Sequence, residues 1–309
     1  MSTLAACGGP ATRQAGSESE ALSTVRFVYV PSTAWLPFIV AQAQGFFEDN
    51  GLDVQTTVVQ QSAMAAIGQQ FDIGQATGSD FVQAVNGGLD QVVVSTVAQE
   101  TEETAALMVP QGSDIDSVED LAGKRVGIPS RTSGMAQSLL FLLAEADVDA
   151  DVVTLQEMPF PTMTDQLTAG RVDAIAAVEP FASQAEAAGA TRLFNPLLRA
   201  GEAIGAGTPI TMFAAATRQW SKSHPEQVEA WRRSLQQAVE FIATDEQGAR
   251  DDLQAVTGLP AEIANNAPLY DYLPDAATAD QVGLWVDVLK RSGTLKADSS
   301  LDAAELVAP

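Results

Sequence analysis

The chain has 309 residues, 46% of them hydrophobic, with 40 acidic against 16 basic side chains and a formal net charge of −24. That length suffices for one large core or two smaller ones, and so acidic a surface repels nucleic acid and anionic lipid, so nucleic-acid-binding classes are excluded. No apolar run reaches the roughly 18 residues that a membrane-spanning helix requires.

The single cysteine, Cys7, rules out an intrachain disulfide. Its setting, Leu4-Ala5-Ala6-Cys7-Gly8, resembles a bacterial lipobox, in which the cysteine carries the lipid and becomes the mature N-terminus. A lipid anchor on Cys7 and an extracytoplasmic location at the cell membrane are therefore expected. Only Met1-Ser2-Thr3 precede the box, so this expectation places a signal sequence upstream of Met1; if Met1 is the true start, Cys7 is a free thiol in the cytoplasm. Residues 8–24 are rich in Gly, Ser, Glu and Ala and read as a tether that buries too little surface to fold.

The folded part opens at residues 25–30, a β-branched and aromatic run ended by Pro31, which reads as a buried strand. A polar loop, Ser32-Thr33-Ala34-Trp35, leads to a helix over 36–47 that Asn50-Gly51 terminates. A strand follows over 52–59, a helix over 62–70 and a third strand from Phe71. Gly78-Ser79 opens another helix, which Asn86-Gly87-Gly88 stops, and 91–97 is a strongly β-branched strand. The order then restarts. Ser117-Val118-Glu119-Asp120 has the form of a helix start, 125–129 is a strand, Ser130-Arg131-Thr132-Ser133-Gly134 is a polar loop, and 135–146 is a helix. A strand over 151–155, a helix over 162–170 and a strand over 171–175 lead to Glu179-Pro180-Phe181.

Alternating strands and helices imply βαβ crossovers and a mostly parallel sheet, hence an α/β fold. Asp72 and Asp173 hold matching places in the two passes, as do Tyr29 and Ile128. One plan used twice predicts two similar lobes. Residues 208–216 then return as an extended segment. Ser223-His224-Pro225-Glu226 reads as a capping box opening a helix with Val228, Trp231, Leu235, Val239 and Ile242 on one face, and more helix runs to about Arg291. The expected division is 25–108 plus 209–309 for lobe one and 109–208 for lobe two, after a 1–24 tether.

Ligands of open parallel sheets bind beyond the carboxyl ends of the strands. The loops there supply Ser32, Thr33 and Trp35, then Gln75 and Thr77, then Gln99, and in lobe two Arg131, Thr132, Ser133 and Glu179. The Ser/Thr-rich loop at 130–134 offers hydroxyls, free N–H groups and a helix N-terminus, with Arg131 adding charge; plain helix capping is the competing role. Trp35 forms either the flat wall of a pocket or a plug in the core. Gln75 and Thr77 line a site or shape a turn. Glu179 either binds an amino group or caps a helix.

Catalytic machinery is sparse. His224 is the only histidine, no His/Cys cluster suits zinc, and the Gly-x-Ser-x-Gly, phosphate-loop and dinucleotide fingerprints are absent. No enzyme activity, cofactor or metal is expected.

Three segments carry a resemblance. Residues 41–54, with Gly45-Phe46-Phe47-Glu48 and Gly51-Leu52-Asp53-Val54, resemble the "A-x-x-x-G-F-F-E-x-x-G-L-D-V" signature of the nitrate/sulfonate/taurine solute-binding family of ABC importers. Asp120-Leu121-Ala122-Gly123-Lys124-Arg125-Val126-Gly127 resembles its "D-L-x-G-K-x-V-G", and residues 167–174 with Glu179-Pro180 resemble its "L-x-x-G-x-V-D-A" and following "E-P". The resemblance runs from about residue 25 to 245. It implies a two-lobed periplasmic-binding-protein-like fold of type II, monomeric, that closes on a small-molecule ligand and delivers it to ABC permease subunits. The ligand classes it implies are sulfonate, taurine, nitrate or a related small organic acid; a pyrimidine-binding or pyrimidine-synthesising protein related to thiamine is the alternative. It also places Ser133 where sulfonate binders set a hydroxyl at a helix start.

Overall fold

The computed structural model describes residues 21–308; Cys7 and its lipobox lie outside them. The first pass comprises β1 (Ser23–Tyr29), α1 (Leu36–Ala43), α2 (Phe46–Asp49), β2 (Leu52–Val58), β3 (Ile73–Thr77), α3 (Gly78–Asn86) and β4 (Gln91–Gln99). The second comprises β5 (Ala105–Pro110), β6 (Arg125–Ile128), α4 (Gly134–Glu145), β7 (Thr154–Glu157), α5 (Phe160–Thr168), β8 (Ala174–Val178), α6 (Phe181–Ala187), β9 (Ala190–Phe194) and α7 (Pro196–Ala203). The chain then adds β10 (Ile210–Thr217), α8 (Arg218–Ser223), α9 (Pro225–Thr244), α10 (Glu246–Thr257), α11 (Ala261–Asn266), β11 (Asp271–Tyr272) and α12 (Ala279–Arg291).

The strands form two sheets, six in the order β11-β4-β10-β3-β1-β2 and five in the order β7-β6-β8-β5-β9. In the first, β1 to β4 share one direction, with β10 inserted in reverse between β3 and β4. In the second, β6 to β9 share one direction, with β5 inserted in reverse between β8 and β9. Each lobe is thus an α/β sheet of mostly one strand direction with a reversed strand brought in by the crossover; in lobe one the short edge strand β11 also runs against β4. Because β5 belongs to the second sheet, the first crossover lies at residues 100–104, ahead of the expected residue 108. The reversed strand escapes sequence reading because Ala105-Ala106-Leu107-Met108-Val109 is a continuous buried run without a period.

Local departures have local causes. The helix expected over 36–47 divides at Gly45, whose φ of 78° no helix accommodates. The helix expected over 62–70 is a single 3-10 turn, Met64–Ala66. Gly68 ends it at a φ of +86°, where the Thr217 methyl occupies the place a Cβ would take. At 117–120 only a 3-10 turn forms, Glu119–Leu121, with Val118 rather than Ser117 at its cap position; the Asp120 carboxylate within it accepts from the Asp116 and Ser117 amides. The capping box at 223–226 does not form. Ser223 closes α8, and His224 stacks on Trp220 with Nδ1 2.9 Å from the Trp220 carbonyl. A capping box does form at Thr278 and Gln281, opening α12.

The repeat is visible at the level of atoms. The Arg26 amide donates to Asp72 Oδ2 at 2.9 Å, while Nε and Nη2 reach Oδ2 and Oδ1 at 3.0 and 2.6 Å. In the other lobe Arg125 repeats the arrangement on Asp173 at 2.8, 3.0 and 2.7 Å. In both, a bidentate pair ties the first of the lobe's parallel strands, β1 or β6, to the residue entering the third, β3 or β8. Asp72 is held below the ordinary carboxylate range although burial opposes it, because Arg26 donates from side chain and backbone. Asp173 is lowered chiefly by the Arg125 side chain. The Asp72 side chain is 14% exposed and that of Asp173 32%, so screening weakens the second pair more. Asp72→Asn is expected to lower Tm by roughly 2–4 °C and Asp173→Asn by less, read by thermal unfolding. The reverse order would refute burial as the deciding factor.

Three apolar clusters fill the molecule. One lies on the outer side of lobe one, where Phe27, Trp35, Phe38, Phe47 and Trp231 pack as a group with centroids 4.4–6.3 Å apart. A small one lies in lobe two around Met163, Ile175 and Ala182. The third runs through both lobes, joining Phe81 and Val82 of α3, Leu139 of α4, Leu197 of α7 and Trp285 and Leu289 of α12. Trp285 is its wedge. Its ring stands 2.0–2.4 Å from where a Cβ on Gly78 would be, so the start of α3 approaches it only as glycine, and 3.2 Å from one on Gly134, a tight contact at the start of α4. Its Nε1 donates to the Ile210 carbonyl at 2.8 Å.

Candidate functional site

A cavity opens between the lobes at the carboxyl ends of both sheets' strands. Lobe one lines it with Val30, Ser32, Gln75, Thr77, Asp80 and Glu100, and with Thr211, Met212 and Tyr270 from the later chain. Lobe two lines it with Ser130, Ser133, Gly134, Met135, Phe160 and Leu197. Residues 60–62, after β2, form part of its rim.

Two helix starts face each other across it. Thr77 caps α3, its Oγ1 accepting from the Asp80 amide at 3.2 Å and donating to Asp80 Oδ2 at 2.9 Å. Ser133 caps α4, its Oγ accepting from the Ala136 amide at 3.2 Å and donating to the Ser130 carbonyl at 2.8 Å. The two starts are bonded: Ser79 Oγ and Gln83 Nε2 donate to the Thr132 carbonyl at 2.7 and 3.0 Å. Gln75 Oε1 accepts from the Val30 amide at 2.9 Å and fixes the end of β1.

Two buried carboxylates line the cavity. Glu100, in the first crossover, is 1% exposed and accepts from Thr104 Oγ1 at 2.6 Å, Thr211 Oγ1 at 2.7 Å and Asn195 Nδ2 at 3.0 Å. Asn195 precedes α7 and Thr211 lies in β10, so one carboxylate ties both crossovers together. Asp80 is 6% exposed, and its Oδ1 is buried with no hydrogen-bond partner. Burial pushes both carboxyls above their ordinary range; the Thr104, Thr211 and Asn195 side chains counter this at Glu100, and the hydroxyls of Thr132 and Thr77 do so at Asp80. The Thr132 hydroxyl is near Asp80 but outside hydrogen-bond geometry. Among the described residues no Lys, Arg or His lines the cavity, and no group of His, Cys, Asp and Glu is placed to hold a metal ion.

The raised carboxyls set a pH dependence. Between the ordinary carboxylate range and the raised values, the folded chain holds protons that the unfolded chain has released. Stability of the ligand-free protein therefore rises as pH falls from neutral into that window. Asp72 and Asp173 act oppositely at lower pH, their contribution being lost as pH falls below the ordinary range. Urea midpoints across a pH series check this: the neutral-to-mildly-acid rise is expected to flatten in Glu100→Gln, and parallel profiles would sink the assignment.

Of the expected site residues, the structure brings Ser32, Gln75, Thr77 and Ser133 to the cavity. It leaves the others elsewhere. Trp35 is fully buried against Phe27, Tyr29 and Phe38, so it is a core residue and not a pocket wall. Thr33 is also fully buried, its carbonyl accepting from the Tyr272 hydroxyl at 2.7 Å. The Arg131 side chain is 64% exposed and turned outward, toward Glu157 at 3.6 Å and the Leu155 carbonyl at 3.3 Å. Thr132 contributes its carbonyl to the joint between helix starts. Gln99 donates to the Thr208 carbonyl at 3.0 Å, crossover to crossover. Glu179 is fully buried and paired with Arg192 at 2.6 Å, with Ser183 N at 3.3 Å, so its carboxylate is already engaged. Sequence reading missed Asp80, Glu100, Thr211 and Tyr270.

Residues 32–249 match the model of a family described as NMT1/THI5 like. The chain is 24% identical over 287 residues to a putative aliphatic sulfonates-binding protein of Bacillus subtilis, covering 88% of this chain and 82% of that one. It is 27% identical over 177 residues to a nitrate import ATP-binding protein of a Synechocystis strain; the match covers 51% of this chain and spans 26% of that relative's length. The solved periplasmic aliphatic sulphonate-binding protein of Escherichia coli superposes with a TM-score of 0.75 at 17% identity, covering 93% of this chain and 98% of that one, which establishes the shared fold.

Proposed function

Since the chain belongs to the NMT1/THI5-like family, we propose that it is the solute receptor of an importer, closing its two lobes on a small molecule and passing it to ABC permease subunits. The observation that carries this reading is the cavity itself: strand ends and helix starts from both lobes line one space, so a ligand there touches both lobes at once. Each lobe is a rigid sheet-and-helix body. The crossovers at residues 100–104 and 204–209 are short, as a closing motion about two strands requires.

The wider setting follows from the same reading. The receptor works outside the cytoplasm, is anchored by lipid on Cys7 and acts as a monomer. The likeness to the sulfonate-binding relatives brings sulfonate, taurine and nitrate to this chain as ligand classes, and of these taurine alone carries an ammonium group, which the acidic lining of this cavity favours. Residues that hold the ligand are drawn from Ser32, Gln75, Thr77 and Ser133, joined by Asp80 and Met135.

The test is ligand capture by the full chain. A ligand at about a hundred times its Kd stabilises a receptor by roughly 2.7 kcal/mol. A hit in thermal shift is expected to be recovered unchanged and to reduce the radius of gyration in solution scattering. A hit recovered as a chemically altered product, or one that leaves the radius unchanged, would overturn the receptor reading.

A further inference from the structure

We infer that the cavity selects a small organic cation, a protonated amine or amidine-type nitrogen, with Asp80 as its anchor. This rests on the reading that the inter-lobe cleft is the ligand site.

The charge around the cavity decides the sign. Two carboxylates line it, and among the described residues no cationic side chain does. The nearest arginines of the lobe-two loops are committed elsewhere, Arg131 outward to Glu157 and Arg192 to Glu179. Against the carboxylates stand two helix N-termini, α3 and α4, each equivalent to roughly half a positive charge. Asp80 sits in the first turn of α3 and already answers one of them. An anion would meet the remaining half charge beside two acids buried in low dielectric, whereas a cation meets the larger and opposite charge.

The acids are not equivalent. Glu100 accepts from Thr104, Thr211 and Asn195, so most of its hydrogen-bonding capacity is already used within the fold. Asp80 is different. The exchange with Thr77 uses its Oδ2 and its amide alone, and Oδ1 is buried without a partner. A buried carboxylate oxygen left so is costly, and a ligand N–H is the donor that completes it. Burial favours the protonated form of both acids, and a bound cation supplies the counter-charge that burial denies them. Around this anchor the walls are apolar, from Val30, Ala34, Met135, Val178, Leu197 and Met212, which suits a short carbon frame behind the nitrogen.

The experiment uses the full chain and probes that share a frame and differ in charge: propylamine, benzylamine and benzamidine against propanesulfonate, benzoate and benzenesulfonate, at matched millimolar concentration. Thermal shift is read on wild type, on Asp80→Asn and on Ser62→Trp, which blocks the rim from an exposed loop position. At least one amine or amidine is expected to raise Tm and no anion to do so. The shift is expected to vanish in Ser62→Trp, and Asp80→Asn is expected to bind roughly tenfold to a hundredfold more weakly, as for a lost charged hydrogen bond. Anions that shift wild type but not Ser62→Trp would overturn the cation while leaving the cleft as the site. Amines that shift Ser62→Trp as strongly as wild type would overturn the cleft reading itself. Silence of every amine and amidine overturns the inference, and since that comparison is made on wild type it holds even if Asp80→Asn fails to fold.

Discussion

Replacing Glu100 by Ala is expected to cost about 3–4 kcal/mol of stability, measured as a fall in urea midpoint at unchanged slope. Its carboxylate is the common acceptor for Thr104, Asn195 and Thr211, and all four groups are buried. Alanine removes the acceptor: Thr211 Oγ1 is left without one, and Thr104 Oγ1 and Asn195 Nδ2 keep only the Thr101 carbonyl, at 3.1 and 2.9 Å. Each stranded donor costs about 1–3 kcal/mol, partly offset because a buried charge is removed as well. Glu100→Gln keeps one acceptor oxygen but turns an N–H toward a donor, and about 1–2 kcal/mol is expected. Thr211→Val removes a single donor and is expected to cost about 1 kcal/mol. A loss for Glu100→Ala no larger than that for Thr211→Val would mean that the carboxylate does not hold the crossovers together.

Trp285→Ala is expected to cost about 3–5 kcal/mol by the same measurement. The indole is 1% exposed, and its removal leaves a void where α3, α4 and α12 meet and strands the Ile210 carbonyl. The converse change overfills the same joint. A Cβ on Gly78 would lie 2.0 Å from the indole, so Gly78→Ala is expected to cost about 1–3 kcal/mol. In the double variant the added methyl enters the space the ring vacated. The two costs are therefore expected to be far from additive. Simple additivity would show that the glycine and the ring do not share one space.

Strand polarity made the location of the cavity legible. Once 25–30, 71–74 and 125–129 read as strands, the loops after them had to face a common space, and Ser32, Gln75, Thr77 and Ser133 do line it. The doubled plan was legible too, in the matched Asp72 and Asp173, though not the arginines that bind them. What the sequence concealed depended on contacts distant along the chain. Asp80 reads as an ordinary acid in a helix's first turn, and nothing local says that its second oxygen lacks a partner. Glu100 lies in a polar stretch, and its donors come from as far away as Thr211. Trp35 and Glu179 sit in the right loops, but their side chains turn back, one into an aromatic core and the other onto Arg192. A loop position fixes a backbone, not the direction its side chain takes.

The reversed strand of lobe one bears on how the protein is made. β10 separates β3 from β4, and β11 covers the far side of β4. A nascent chain that has just completed β4 therefore carries a strongly β-branched strand, Gln91–Gln99, with neither neighbour yet synthesised. All five strands of lobe two are available once residue 194 has emerged, but the sheet of lobe one waits for residue 217 and is finished only with Tyr272. The later-encoded lobe is the first able to fold, and the earlier one keeps exposed strand edges until residues 210–217 and then 271–272 have emerged, the state in which chains pair wrongly with one another. Chaperones or slow translation across that interval would shield the β4 edges until β10 and β11 arrive.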